Sequence, residues 1–132
     1  MEKISYEIAQ QEVNKWLDAR RVSVSKRESQ EAAISSLIEA VMYGNIVIDE
    51  NNQITQTLTY PIGENDSFTK LTYKTRITQG EVSTRISALK NSDSLSVISA
   101  YVSALTTQPL SLLQKLDTTD YSLCQTIAVF FI

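Results

Sequence analysis

Histidine is absent from this 132-residue chain, and its absence excludes several kinds of chemistry at once. Without His there is no Ser-His-Asp or Cys-His catalysis, no zinc site built on imidazole, and no side chain suited to moving protons at neutral pH. Catalysis is left to carboxylates, Lys and Tyr, as in glycoside hydrolysis by two acidic residues. We therefore expect a protein that is not an enzyme, with no catalytic residue, no cofactor and no bound metal.

Cysteine, glycine, proline and long apolar runs are also scarce. Cys124 is the single cysteine, so no intrachain disulfide can form, and its place in an apolar helical stripe favours a buried core residue. Three Gly and two Pro exclude collagen-like and low-complexity chains. The longest apolar run spans residues 127–132, where a membrane span needs about 20 residues. Because the N-terminus also lacks a secretory apolar segment, we expect a cytoplasmic protein with no membrane partner.

The remaining composition is that of an ordered globular protein. Apolar residues make up 42% of the chain and charged residues 20%, and the net charge is -3. A chain of this length buries roughly two-thirds of its unfolded surface, which is enough for one core. We expect a single domain over residues 1–132, with a helical part at 1–44 and an α+β part at 45–132. The acidic balance predicts no general affinity for nucleic acid.

Two amphipathic patterns in the first 44 residues predict two helices. The first lies within Ser5–Leu17. Residues 20–26 predict a turn or short extended link, because two β-branched Val residues alternate with Ser. Ser25 and Glu28 have the spacing of a capping box, and the apolar stripe after them predicts a second helix that ends before Gly44.

Three β-branched or alternating runs between residues 45 and 75 predict a three-stranded antiparallel meander. The first two, 45–49 and 54–60, are joined by a polar turn, and the third covers 68–75. Pro61 cannot donate to a ladder, so it ends the second strand or lies on an edge. Alternation in the second run assigns five residues to one face, namely Ile54, Gln56, Leu58, Tyr60 and Ile62.

Helical periodicity returns after the meander and predicts three or four short helices. Thr78 and Glu81 have the spacing of a capping box, Asn91-Ser92-Asp93 offers a further N-cap, and Pro109 suits a first helical position. Asp117–Asp120 starts the last helix, which is apolar on one side. The predicted fold class is α+β, with two N-terminal helices, a three-stranded antiparallel meander and three or four short C-terminal helices.

A basic cluster near the N-terminus is the first candidate binding feature; it comprises Arg20, Arg21, Lys26 and Arg27. It lies between two predicted helices that precede a hairpin, an order that resembles a winged helix contacting DNA phosphates. The first 31 residues hold six basic and six acidic side chains, so the local charge nearly cancels and a solvated loop is favoured. A small DNA-binding regulator stays open as an alternative.

A second set of residues offers contacts for a protein partner. The exposed face of the meander and its edge near the proline suit addition of a strand from another chain. Two adjacent aromatic rings close the sequence, and on a helix they point about 100° apart, so one of them is a candidate for an exposed contact. The candidate partner-binding residues are Pro61, Lys70, Lys74, Arg76, Phe130 and Phe131.

Short motifs follow one another in a familiar order over residues 54–132. They are Thr57-Leu58-Thr59-Tyr60-Pro61-Ile62, a polar turn, Thr69-Lys70-Leu71-Thr72-Tyr73-Lys74, Arg76, Thr78 to Glu81, Ala104-Leu105-Thr106, Pro109-Leu110 and Leu116-Asp117-Thr118-Thr119-Asp120-Tyr121 before an apolar helix. In this order and spacing the chain resembles the tail assembly chaperones of long-tailed bacteriophages. The first 50 residues do not correspond to that family's usual pattern.

The resemblance implies a non-enzymatic protein of a phage or prophage that acts in the host cytoplasm. Its implied partners are the tape measure protein, which it keeps soluble, and the tail tube protein, whose subunits it helps to load. A homo-oligomer is left open, and such chaperones often have a longer form made by translational frameshifting. The alternatives are the winged-helix-like DNA-binding regulator and a structural head-tail connector.

Overall fold

The computed structural model describes residues 3–88 and 94–132, which contain seven α-helices and one antiparallel sheet. The α+β class and the three-stranded meander are confirmed, and four helices follow the sheet. No helix in these two ranges is both long and apolar enough to cross a bilayer. The N-cap predicted at Asn91-Ser92-Asp93 lies outside the described residues. The elements are α1 (Tyr6–Ala19), α2 (Val24–Ser29), α3 (Glu31–Tyr43), β1 (Ile46–Ile48), β2 (Ile54–Ile62), β3 (Phe68–Thr72), α4 (Gln79–Ser87), α5 (Ser94–Thr106), α6 (Leu110–Leu113) and α7 (Thr118–Ala128).

The prediction of two N-terminal helices is wrong, because the segment predicted as the second helix begins at Val24, within the expected link, and is divided into α2 and α3. Ser23 is its N-cap, and the Ser23 side chain accepts a hydrogen bond from the Lys26 N–H at 3.1 Å. Ser25 lies inside the helix, so the capping box predicted from Ser25 and Glu28 is also wrong. A side-chain cap contributes about 1 kcal/mol, which exceeds the small helix penalty of one Val. Gln30, with φ -117° and ψ 31°, then separates α2 from α3.

Helix α3 ends at Gly44, as predicted. Gly44 adopts φ +82°, the left-handed conformation that terminates helices at low cost in glycine. The N–H groups of Gly44 and Asn45 bond the carbonyl groups of Val41 and Ala40 at 3.2 and 2.9 Å. The chain therefore turns directly from α3 into β1.

Strand β2 lies in the centre of the sheet, between β1 and β3. It pairs with β3 from Thr55 to Thr57, and the pairing resumes at Ile62 after an irregular stretch. The predicted alternation holds for Ile54, Gln56 and Leu58, which are buried, but Tyr60 is 54% exposed. The irregular stretch interrupts the two-residue period and so reverses the face that Tyr60 occupies. Pro61 lies within it, beyond the part of β2 that pairs with β1, where no ladder N–H is required.

One apolar core includes residues from both the helical N-terminal part and the α+β part. Helices α1 and α3, the sheet, α5 and α7 all contribute to it, so the two parts share one core and do not have a core each. Pro109 lies one position earlier than predicted, as the N-cap of α6. Large core residues include Trp16, Leu17, Leu37, Val41, Ile46, Leu71, Tyr73, Leu105, Ile127 and Phe130.

A chain of buried polar groups joins the sheet to α7. Gln56 is fully buried on β2, and its Oε1 accepts a hydrogen bond from the Tyr73 hydroxyl at 2.6 Å. Its Nε2 donates to the main-chain carbonyl of Asp120 at 3.0 Å, and the Cys124 thiol donates to its Oε1 at 3.5 Å. Burial raises the pKa of Tyr73 well above its usual range, so the hydroxyl is a stable donor. The buried polar groups are thus satisfied by one another.

The carboxylate of Asp120 completes this connection at the irregular stretch of β2. Asp120 is 2% exposed, and its two oxygens accept the N–H groups of Thr59 at 2.8 Å and Tyr60 at 3.0 Å. The strand irregularity leaves both N–H groups without a partner in β3. Helix α7 begins as predicted, because Asp117 caps it through the Thr119 N–H at 2.9 Å. Capping and the bond to β2 together fix the position of α7 on the sheet.

Replacing Asp120 by Asn is expected to lower the free energy of unfolding by about 2 kcal/mol. The amide can accept only one of the two N–H groups and turns its own NH₂ toward the other. Urea denaturation followed by circular dichroism measures the change. The control is the same chemical change at Glu39, an exposed residue of α3, where less than about 0.5 kcal/mol is expected. Equal stability of Asp120→Asn and Glu39→Gln would contradict the assigned role.

Cys124 is a fully buried core residue, and burial raises the pKa of its thiol from about 9 to about 11. The unfolded chain loses the thiol proton near pH 9 while the folded chain keeps it, so folding stability falls as the pH rises from about 9 to about 11. Urea titrations at several pH values measure this loss, which should be smaller in Cys124→Ser.

The folded protein should also resist a thiol reagent at pH 8, and its Cys124 should react after unfolding. Rapid labelling of the folded protein would refute the burial of the thiol.

Candidate functional site

Residues from both predicted binding sets meet in one cleft of about 730 Å³. It lies at the C-terminal end of α1, next to the β1–β2 turn and the segment that follows β3, and we call it the arginine cleft. Arg20 and Arg21 come from the predicted basic cluster, whereas Arg76 and Phe131 come from the predicted partner-binding set. The cleft is lined by Trp16, Ala19, Arg20, Arg21, Asn51, Asn52, Thr75, Arg76, Ile77 and Phe131.

Arg20 makes more hydrogen bonds than the other two arginines that line the arginine cleft. Its Nη1 donates to the carbonyl of Thr75 at 3.1 Å, and its Nε and Nη2 donate to the carbonyl of Phe130 at 3.4 and 3.3 Å. The guanidinium carbon lies 3.4 Å from the ring centroid of Phe131 and 5.9 Å from that of Trp16. Burial and the nearby charge of Arg76 lower the pKa of Arg20. Arg20 therefore joins α1, the segment after β3 and the end of the chain.

Local structure accounts for the position of the other polar residues. Helix α1 ends through Arg21, which has φ 55° and donates its main-chain N–H to the carbonyl of Asp18 at 2.9 Å. Across the cleft, the Asp49 side chain accepts the main-chain N–H groups of Asn51 and Gln53 at 2.8 and 2.9 Å, an Asx-type arrangement that shapes the turn. Asn52 lies inside this turn with φ 63°, a conformation that Asn tolerates well.

The arginine cleft holds three positive charges, and among residues 3–88 and 94–132 no acidic side chain lines it. Within residues 3–88 and 94–132, the side chains of Arg21 and Arg76 make no hydrogen bond and no ion pair. The Asn52 amide has no partner in these ranges either, and its Oδ1 is buried. A locally basic cavity has thus formed in a chain whose net charge is -3.

The remaining residues of the basic cluster contact their own chain and do not line the cleft. Lys26 donates from Nζ to the carbonyl of Ile132 at 3.4 Å. Arg27 donates to the carbonyl of Val22 at 3.0 Å and pairs with Asp18 at 2.9 Å. The four basic residues that are close in sequence therefore do not form one surface for phosphates.

The two C-terminal aromatic residues have different surroundings. Phe130 is 4% exposed and packs edge-on against Trp16, with 5.8 Å between ring centroids. This burial corrects the expectation that Phe130 is a candidate surface contact. Phe131 is partly exposed, lines the arginine cleft and lies 6.0 Å from the Trp16 ring.

The other predicted partner-binding residues lie outside the arginine cleft. Pro61 and Lys70 are exposed on β2 and β3. Lys74 forms an ion pair with Glu81 at 3.0 Å, and its main-chain N–H donates to the carbonyl of Leu105 at 2.8 Å. The end of β3 is therefore bonded to the end of α5, which reduces the edge available for strand addition at that point.

Sequence reasoning did not select Trp16, Asn52 or Thr75 as site residues. The sequence predicts Trp16 only as part of the helix within Ser5–Leu17, and Asn52 only as part of the polar turn between the first two strands. Consecutive Asn residues in a strand connection are a signal for left-handed backbone, so the shape of the turn was accessible from sequence. The position of this turn opposite Arg20 and Arg21, which follow α1, could not be predicted from the sequence.

The side chains that line the arginine cleft determine which ligands it can bind. In the part of the chain that the structure describes, no three or more His, Cys, Asp or Glu side chains lie close enough to hold a metal ion. No model of a known protein family, no curated protein and no solved structure matches the chain. Guanidinium groups, side-chain amides and aromatic rings are groups that bind anions and apolar surface.

Replacing Arg20 by Ala is expected to lower the free energy of unfolding by about 2 kcal/mol, because three hydrogen bonds to carbonyl groups and a ring contact are lost. Trp16, the only tryptophan, contacts Phe130 and reports the transition by fluorescence during urea denaturation. The control Arg21→Ala removes the same charge without those bonds and should cost less than about 0.5 kcal/mol. An equal loss of unfolding free energy in the two variants would show that the loss of charge, and not the loss of the Arg20 hydrogen bonds, destabilises the protein.

Proposed function

We propose that the chain is a non-enzymatic tail assembly chaperone of a long-tailed phage or prophage, which binds the tape measure protein and assists tail tube assembly. The carrying observation is a contact between two of the segments on which the family resemblance rests. The 57–62 segment supplies the N–H groups of Thr59 and Tyr60, and the 116–121 segment supplies the Asp120 carboxylate that accepts both. The two segments are 60 and 61 positions apart at these bonds, yet they are in direct contact in the fold. The proposal treats the motifs as parts of one structural unit, and this contact is compatible with that.

Exposed apolar side chains are available for contact with another protein. A protein that keeps an apolar client soluble needs surface of this kind in addition to charged groups. Large apolar residues with more than two-fifths of their surface exposed are Tyr6, Ile8, Val24, Tyr43, Val47, Tyr60 and Ile132. The arginine cleft adds a concave site where a partner residue can be held.

No specific observation favours a second function. A DNA-binding regulator stays an alternative suggested by the basic cluster, but Arg20, Lys26 and Arg27 all donate to groups of the same chain. Phosphate contacts by these three would compete with their existing hydrogen bonds. Nothing in the described residues bears on a head-tail connector.

Co-expression with the tape measure protein from the same genome tests the proposal. We expect the tagged chain to increase the soluble fraction of the tape measure protein and to retain it on an affinity column. An unrelated long coiled-coil protein serves as the control client and should not be retained. Purified virions should lack the chain, because an assembly chaperone leaves the finished particle. Failure to retain the client, or recovery of the chain in virions, would overturn the proposal.

A further inference from the structure

We infer that the arginine cleft is a binding site for an acidic peptide segment of a partner protein, with a side-chain carboxylate held between Arg21 and Arg76. The inference rests on the proposed function only in that the chain binds a protein. It does not depend on which protein is bound.

The charges of the arginine cleft lack a counter-ion within the described residues. Arg20, Arg21 and Arg76 line the same cavity, and no acidic side chain lines it with them. Like charges that are held together disfavour one another, and a bound anion removes this cost. Elsewhere in the described residues, Arg27 is paired with Asp18 and Lys74 with Glu81.

Two guanidinium groups of the arginine cleft, those of Arg21 and Arg76, are available to bind a planar anion. Arg20 is immobilised by its bonds to the carbonyl groups of Thr75 and Phe130 and by the ring of Phe131. A guanidinium group has five N–H donors in a rigid fork, so the less restrained Arg21 and Arg76 can each offer a carboxylate two parallel bonds. Asn52 also lines the wall, but its buried Oδ1 is an acceptor and does not contribute to binding an anion.

The surroundings favour a peptide over a nucleic acid. A phosphate backbone is bound by basic groups spread along a track, whereas these arginines are confined to one concave cavity. The whole chain, with 15 acidic and 12 basic residues, repels a polyanion at longer range. Ile77 and Phe131 add apolar surface to the wall, which suits an aliphatic neighbour of the acidic residue. A volume of about 730 Å³ admits a short segment.

Nuclear magnetic resonance titration with two capped tripeptides tests the inference, because it detects weak binding. The probes are N-acetyl-Glu-Leu-Glu-amide and N-acetyl-Gln-Leu-Gln-amide, whose blocked ends leave only the side-chain carboxylates to differ. We expect the acidic peptide to shift the Nε–H signals of Arg21 and Arg76 and the amide signal of Phe131. The neutral peptide should bind at least about tenfold more weakly.

Variants of the intact chain assign the binding to the cleft. Arg21→Ala combined with Arg76→Ala should weaken the acidic peptide at least about tenfold, since two charge-assisted contacts are lost. Lys115→Ala removes one positive charge from an exposed position outside the cleft and should change the affinity less than about twofold. Arg76→Lys keeps the charge but loses the planar fork, and should give an intermediate affinity. Circular dichroism verifies that each variant is folded.

Three results would overturn the inference: equal affinity for the two peptides, unchanged binding by the folded double variant, or shifts confined to residues outside the cleft. Inorganic phosphate and a short duplex DNA form two further arms. Tighter arginine-dependent binding of either one would replace the acidic peptide by a phosphate ligand. The titration contains no tape measure protein, so its outcome is separate from that of the co-expression experiment.

Discussion

The buried carboxylate of Asp120 is the constraint on which the arrangement of this protein depends. It accepts two N–H groups of β2 at the point where the strand loses its regular pairing. An unpaired N–H pair at a partly buried position costs several kcal/mol, and an unpaired buried carboxylate costs more. Each group therefore requires the other. The irregular strand and the N-terminal turn of α7 are stable only in contact, and Gln56 strengthens that contact from beneath.

The position of α7 determines where Phe130 and Phe131, which follow the helix, lie in the fold. Because α7 is attached to β2 near its start, the residues after it are delivered to α1. Phe130 is buried there against Trp16, and its carbonyl accepts two bonds from Arg20. Phe131 then lies beneath the Arg20 guanidinium and forms one wall of the arginine cleft. A polar contact in the sheet thus helps to position a cleft whose lining includes Arg20 and Phe131, from opposite ends of the chain.

The arginine cleft and the net charge of the chain have opposite signs. For the proposed binding of an acidic segment, this contrast is a source of selectivity. Long-range repulsion acts against polyanions, while the short-range donors of Arg21 and Arg76 act on a single anionic group that reaches the cavity. A client-binding protein benefits from this combination, since it excludes nucleic acid in the cell without losing affinity for acidic segments. Exposed apolar residues elsewhere supply contact area without such selectivity.

The sequence alone determined the features that depend on neighbours within a few positions. Gly44 ends α3 through its own left-handed backbone, Thr78 and Glu81 cap α4 across three residues, and the alternation at residues 54–58 selects the buried face of β2. Local patterning therefore gave the fold class and most element positions. The second predicted helix begins earlier than expected, because Ser23 caps α2, and it is divided in two at Gln30.

Only the tertiary structure decided which distant residues meet. The burial of Asp120, the exposure of Tyr60 and the convergence of Arg20, Arg21 and Arg76 leave no periodic trace in the chain. Each results from a strand irregularity or from packing between elements far apart in sequence, and local propensity carries no information about either. The amino-acid pattern specified the helices and strands and most of their boundaries. Packing between distant elements, together with the partners that buried polar groups such as Asp120 require, decided which residues line the cleft.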